Sequence, residues 1–220
     1  MLNKLAILIT LLMPCVATAC SGNADKTQPA TTVQTTDSAS TPSQAIPQLP
    51  PLPDKPSGTA FIIISKLDQQ LSVYDRNATG DTILVAQYPC CMGKNKGDKQ
   101  RRGDMRTPES PAGKPFKITM IQDASTWKHD FKDGRGNIKA YGHWFLRLET
   151  PGHNGIGIHG STNNENTVPG RASEGCVRLL DKDIITLKEH FAYVGMPVTV
   201  QPEGQAPLPW EPRARQASVK

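Results

Sequence analysis

Aromatic residues are scarce in this chain, 5% of 220 residues, and no long apolar run occurs beyond residue 20. The first scarcity, set beside 19 Pro, implies that a sizeable part of the chain packs no core. The second excludes a multi-pass membrane protein. Glycine never recurs at every third residue, which excludes collagen, and the Pro and Gly content excludes a long coiled coil. No Cys-x-x-Cys or His-x-x-x-His spacing occurs, so the usual ligand sets of zinc are missing and no metal is expected. Charge of one sign is also in short supply. The net +5 suits an anionic partner but is too mild to argue for nucleic acid.

What is present divides the chain into four parts. Met1–Lys4 carries one positive charge, Leu5–Met13 is apolar, and Ala17-Thr18-Ala19 precedes Cys20. Residues 1–19 have the proportions of a secretory signal, too short to remain as a membrane span. Two processing readings follow, both cutting before Cys20. One is ordinary Ala-x-Ala cleavage. The other resembles a bacterial lipoprotein box, in which Cys20 is lipidated and two or more acyl chains anchor the protein to a membrane. Residues 20–58 read as a disordered tether. Of the 38 residues from 21 to 58, 29 are Ser, Thr, Pro, Gln, Ala, Gly or Asn and none is aromatic. Such a segment buries too little to offset its ordering entropy. Its reach runs from roughly 35 Å as a coil to about 120 Å if polyproline-like. Residues 203–220 read as a Pro-rich tail. The export signal places the protein in the cell envelope or periplasm.

Residues 59–202 remain for one compact domain. Ala60–Ser65 is a continuous apolar run, as in a strand covered on both faces, whereas Gln70–Tyr74 alternates with Leu71 and Val73 on one face. Ile83–Tyr88, Pro115–Ile121, Trp144–Leu148 and Gly155–His159 read as further strands. One helix is expected after residue 180, capped by Asp181, with Ile184, Leu187, Lys188 and Phe191 at helical spacing and Gly195 ending it. Pro197–Gln201 closes the sheet. The expectation is a mostly β domain, sandwich- or barrel-like, with one helix. The stretch Lys94–Arg106 holds six positive and two negative residues, and reads either as a mobile solvated loop or as a rim attracting a carboxylate-bearing polymer.

Outside the signal and Cys20, the cysteines are Cys90, Cys91 and Cys176, an odd number for an exported chain. At least one thiol is therefore free or paired to another molecule in a compartment that oxidises thiols, and nucleophilic catalysis is the commonest reason to keep one. Adjacent Cys90 and Cys91 read as a half-buried strand end. In Gly155–Gly160 (GIGIHG), Ile156 and Ile158 point to one face and His159, between glycines, to the other. In Ser173–Leu179 (SEGCVRL), Gly175 lets the chain turn sharply and expose Cys176. It also leaves the amides of Gly175 and Cys176 free for an oxyanion. His159 would take the thiol proton, giving a thiolate near neutral pH. His129, His153 and His190 are expected at the surface, while His143, beside Tyr141 and Trp144, could line the groove.

GIHG, a loop, then SxGCVRL resembles the signature of YkuD-type L,D-transpeptidases, His…(Ser/Thr)-His-Gly-Cys. The resemblance extends to Phe61–Tyr74 as the opening strand pair, to Arg106-Thr107-Pro108-Glu109 with Gly113 and Phe116, and to Gly195–Val200 as the closing strand. It implies a mostly β catalytic domain whose helix follows the catalytic Cys, and an enzyme without cofactor. Cys176 would be the nucleophile, His159 the general base, and the Gly160 carbonyl the group orienting the imidazole. Ser173 and Gly175 would shape the oxyanion pocket, Arg178 would lie near the donor's carboxylate, and Tyr141 would contact substrate. The partner implied is the stem peptide of peptidoglycan, crosslinked 3→3 through a thioester. The same thiol and base also serve an L,D-carboxypeptidase or amide hydrolase, and an enzyme attaching lipoproteins to the wall. An inactive wall-binding lipoprotein and a thiol–disulfide oxidoreductase are the readings from other classes. Glu174 departs from the family's His. A carboxylate beside a thiol raises its pKa unless it faces away or pairs with Arg178 or Arg171, so Glu174 is expected to point out of the pocket, and Ala or Gln there to leave much activity.

Overall fold

The computed structural model describes residues 48–205. The expected signal, Cys20, residues 20–47 of the tether and the tail from residue 206 lie outside the described residues. Twelve strands and one α-helix are described. They are β1 (Phe61–Ser65), β2 (Gln70–Arg76), β3 (Thr82–Pro89), β4 (Cys91–Gly93), β5 (Phe116–Asp123), β6 (Lys128–Asp130), β7 (Asn137–Lys139), β8 (Trp144–Leu148), β9 (Gly157–His159), β10 (Gly170–Ser173), β11 (Val177–Arg178), α1 (Asp181–His190) and β12 (Pro197–Val200).

Ten strands form one sheet in the order β10-β4-β11-β9-β8-β5-β12-β1-β2-β3, and β6 pairs only with β7. The fold is mostly β with a single helix after Cys176. Ile62, Ile63 and Ile64 of β1 are all buried, as a continuous apolar run requires. One apolar cluster joins Leu71 and Val73 of β2 to Leu146, Ile158 and Val177 near the other end of the strand order, with Ile184 and Leu187 of α1. Strands far apart in the sheet thus share one core, so the sheet curls over itself in a sandwich-like manner.

Several expectations are corrected. Strand β2 does not alternate: Leu71, Ser72, Val73 and Tyr74 are all buried, because β2 lies between β1 and β3 with both faces covered. Asp181 is not the helix cap. Leu180 occupies that position with no side-chain bond, and Asp181 is the first helical residue with its carboxylate bonded elsewhere. The helix ends at His190, five residues before Gly195, which instead takes a positive φ in the turn before β12. Residues 48–58 contain no helix or strand, yet the Pro53 carbonyl lies 2.7 Å from His190 Nδ1, so this end of the expected tether is docked. His190 is thereby half-buried rather than free at the surface. Cys90 and Cys91 are fully buried, both at 0% exposure, rather than half-buried.

Candidate active site

Strands β9 and β11 are parallel neighbours with Ile158 opposite Val177 and His159 opposite Arg178. Side chains alternate along a strand, so Ile158 and Val177 enter the core while His159 and Arg178 share the opposite face. Cys176, one step before Val177, falls on the same face as His159. Both residues line a single cavity of about 400 Å³. A strand end and the turn before a parallel strand are thus what bridge their 17-residue separation.

His159 is 3% exposed. Its ring stacks on Phe145, centroids 5.6 Å apart and planes 10° apart, and lies 4.9 Å from the Tyr141 ring. Phe145 also covers Gly157, where any Cβ would meet its ring edge. The face of β9 expected to be bare apart from the imidazole is therefore upholstered by Phe145. His159 Nδ1 lies 2.6 Å from the Gly160 carbonyl, which can only accept. The neutral ring therefore carries its hydrogen on Nδ1 and leaves Nε2 as the basic nitrogen. Burial first, and the nearby Arg178 charge second, push the imidazole down to about 3.

The Cys176 thiol is half-buried, with Sγ 3.4 Å from the Gly155 carbonyl. Desolvation raises its pKa. A hydrogen bond from the Gly157 amide and the charges of Arg178, Lys99 and Arg147 oppose that rise without overcoming it. Both shifts favour the uncharged forms of the thiol and the imidazole. A low-dielectric site penalises both charges before it can reward their pairing.

The turn ahead of Cys176 also differs from expectation. The Gly175 amide is not free: it donates to Ser173 Oγ at 3.1 Å, and that hydroxyl donates to the Cys176 carbonyl at 2.6 Å. Ser173 thus ties the turn, and the Cys176 amide is the one of the two left without a partner among the described residues. Gly175 has φ +141, and a Cβ there would sit 2.8 Å from the Arg106 carbonyl. Only glycine fits that approach.

The cavity walls come from segments distant in sequence. Lys99, Arg102, Gly103 and Met105 form one wall. The Lys94–Arg106 stretch is pinned rather than mobile. The Asp104 carboxylate accepts from Lys99 Nζ at 2.8 Å and from the amides of Gln100, Arg101 and Arg106. His153, expected at the surface, lies 3.0 Å from the Lys99 carbonyl and steadies the same loop. Lysine 99 itself is buried.

The opposite wall is the β6–β7 hairpin and its approach, contributing Trp127, His129 and Phe131, with Tyr141 behind them. His129 was expected at the surface and instead lines the cavity, whereas His143 is exposed outside it. The signal for His129 was legible: Trp127, His129 and Phe131 alternate with Lys128, Asp130 and Lys132, so one face of the hairpin is aromatic. Glu174 is also corrected. It lines the cavity and faces His129, Oε2 to Nε2 3.2 Å, rather than pointing away or pairing with Arg178 or Arg171. Arg171 pairs with Glu203 instead, at 2.5 Å.

Arg178 is 3% exposed and joins no ion pair among the described residues. Its guanidinium carbon lies 5.1 Å from the centre of the Phe131 ring, and NH1 reaches Thr167 Oγ1 only at 3.4 Å. A buried cation lacking a carboxylate partner can accept an anion. Among the described residues no cluster of three or more His, Cys, Asp or Glu could hold a metal ion.

Residues 59–200 match the YkuD family, described as the L,D-transpeptidase catalytic domain. Similar solved structures include Bd1075 of Bdellovibrio bacteriovorus, at 19% identity and TM-score 0.46 over 69% of this chain and 52% of that one. An L,D-transpeptidase from Mycobacterium smegmatis is 17% identical, TM-score 0.45, over 64% of this chain and 58% of that one. The helical cell shape determining protein Pgp2 from Campylobacter jejuni is 20% identical, TM-score 0.43, over 64% and 47%. The chain thus spans between about half and three fifths of these proteins. No curated protein matches it.

Proposed function

The chain belongs to the YkuD family of L,D-transpeptidase catalytic domains, and we propose that it crosslinks peptidoglycan through a thioester on Cys176. The observation that carries this reading is that His159 and Cys176 project from one face of the β9–β11 edge into a single cavity that also holds an unpaired cation, Arg178.

In the proposed first half-reaction, Cys176 Sγ attacks the carbonyl of the L-centred third residue of a tetrapeptide stem while His159 Nε2 takes the thiol proton. The tetrahedral oxyanion is met by the Cys176 amide. The imidazolium then returns its proton to the departing D-Ala amine as the C–N bond breaks, leaving a thioester. In the second half, an amine of a neighbouring stem attacks that carbonyl and gives a proton to Nε2. The C–S bond breaks, a 3→3 peptide bond forms, and Sγ recovers its proton. Arg178 would bind a stem carboxylate, with Tyr141 and Trp127 as apolar walls. Residues 1–20 support an exported protein of the cell envelope, lipid-anchored at Cys20.

Muropeptide profiles of purified sacculi incubated with the full chain or with its Cys176→Ser variant test this directly. Crosslinked 3→3 dimers with the intact chain alone are the expected result. Trimmed tripeptides without dimers would overturn transfer in favour of hydrolysis, and no change would overturn the reading altogether. A carbapenem, by family analogy, should add its mass to Cys176.

A further inference from the structure

We propose that Asp181 is a positioning residue for His159: its carboxylate clamps the turn whose carbonyl holds the imidazole. The inference rests on the reading of His159 as the base, but its main readout needs no substrate.

The chain of contacts is short. Asp181 opens α1, yet its side chain turns back toward the residues that follow β9. Oδ1 accepts the Ser161 amide at 2.9 Å, and Oδ2 accepts the Thr162 hydroxyl. These two donors immediately follow Gly160, whose carbonyl lies 2.6 Å from His159 Nδ1. The carboxylate also packs against two glycines. A Cβ on Gly160 or on Gly142 would strike Oδ1, and the Gly142 position would further lie 2.6 Å from the Gly160 Cα. Gly142 follows Tyr141, the ring lying 4.9 Å from the imidazole. One carboxylate thus fixes both the segment that orients the His159 ring and the segment that covers it. The backbone of His159 is held separately, its carbonyl accepting the Leu179 amide at 2.8 Å.

The physical consequence concerns the ring alone. A carboxylate accepting two hydrogen bonds holds a turn more firmly than neutral acceptors do. With Asp181 removed, the Ser161 amide and Thr162 hydroxyl lose their acceptor and the Gly160 carbonyl is free to rotate from Nδ1. The imidazole then samples the tautomer with hydrogen on Nε2, which cannot take a proton from the thiol. A misplacement near 1 Å at such a group costs on the order of 100-fold in rate.

The test uses the full chain labelled with 15N at histidine, the His159 signals being assigned by their loss in His159→Gln. Wild type should show hydrogen on Nδ1 alone. Asp181→Ala should show a mixture of tautomers, with kcat for acylation of Cys176 lowered roughly 10- to 100-fold and KM within about twofold. Asp181→Asn, which keeps an oxygen for the Ser161 amide, should recover most of both. An unchanged tautomer in Asp181→Ala, with or without a slower reaction, would overturn the positioning role. Should Asp181→Ala fail to fold, Thr162→Val must show a smaller shift of the same kind, and no shift there would overturn it equally. If wild type never acylates Cys176 with a stem peptide, the proposed function falls while the tautomer result still decides the role of Asp181.

Discussion

Titrating Cys176 with a small neutral alkylating agent probes the resting state of the site. Desolvation raises the thiol above its ordinary 9.0, and burial lowers His159 to about 3. Between pH 4 and 8 neither group is charged, so the site holds no thiolate–imidazolium pair. A thiol of pKa 9 is about 1% ionised at pH 7, and a raised one less. Alkylation at pH 7 should therefore run at no more than about 1% of its limiting alkaline rate, climbing about tenfold per pH unit to beyond pH 8. Iodoacetamide with peptide-level mass counting reads this cleanly, because Cys90 and Cys91 are fully buried. Burial also raises the Cys90 thiol. His159→Gln should leave the curve almost unmoved. A plateau beginning at or below pH 7, abolished in that variant, would refute the reasoning and show a preformed ion pair.

Stability should carry the mark of the same histidine. In the unfolded chain His159 titrates near 6.5, whereas the folded ring stays neutral to about 3. Below pH 6.5 the unfolded state binds the extra proton, so stability is full above that pH and lost as pH falls. From pH 6.5 to 4.5 this amounts to about 2 kcal/mol, a loss that urea melts should find in wild type and not in His159→Gln; parallel curves would reject it. At the turn before the thiol, Gly175→Ala forces a positive φ on alanine and drives its Cβ toward the Arg106 carbonyl. A cost of about 1–3 kcal/mol is expected, visible as a fall in Tm of several degrees, and an unchanged Tm would remove the argument for that close approach.

Much of this architecture was legible, and the failures have causes. Trp144–Leu148 and the core-facing Ile158 followed from pattern alone, because regular strands repeat every two residues. Strands β10 and β11 were not, since Gly170–Ser173 and Val177–Arg178 are too short to show a period and pair around a chemical motif instead. Cys91–Gly93 is buried at all three positions, which erases alternation. Cys176 and His159 stand out in the sequence because glycines isolate them, and both line one cavity. The roles of Glu174 and Asp181 were missed because each depends on a partner far along the chain, Glu174 on His129 and Asp181 on the turn at 160–162, whereas His129 was missed despite its legible alternation with Trp127 and Phe131. Local spacing says where a side chain starts, not what it meets.

The neutral pair and the rigid geometry belong to one arrangement. Thiolates, not thiols, are oxidised and alkylated, so a cysteine that rested ionised would be more open to both. Here the ring is held by Gly160 at 2.6 Å, stacked on Phe145, and backed by the Asp181 clamp, so orientation is fixed in advance. Charge is withheld by burial. In the proposed reaction, what releases it is a bound carbonyl beside the Cys176 amide, where proton transfer to Nε2 and attack on carbon proceed together and the developing negative charge moves from sulfur to oxygen. Arg178, buried without an acidic partner, adds a second condition, because an anionic ligand that pairs with it removes one of the charges depressing His159. In the proposed reaction, a stem carboxylate bound there would raise the basicity of the imidazole, whereas a small electrophile without a carboxylate would not.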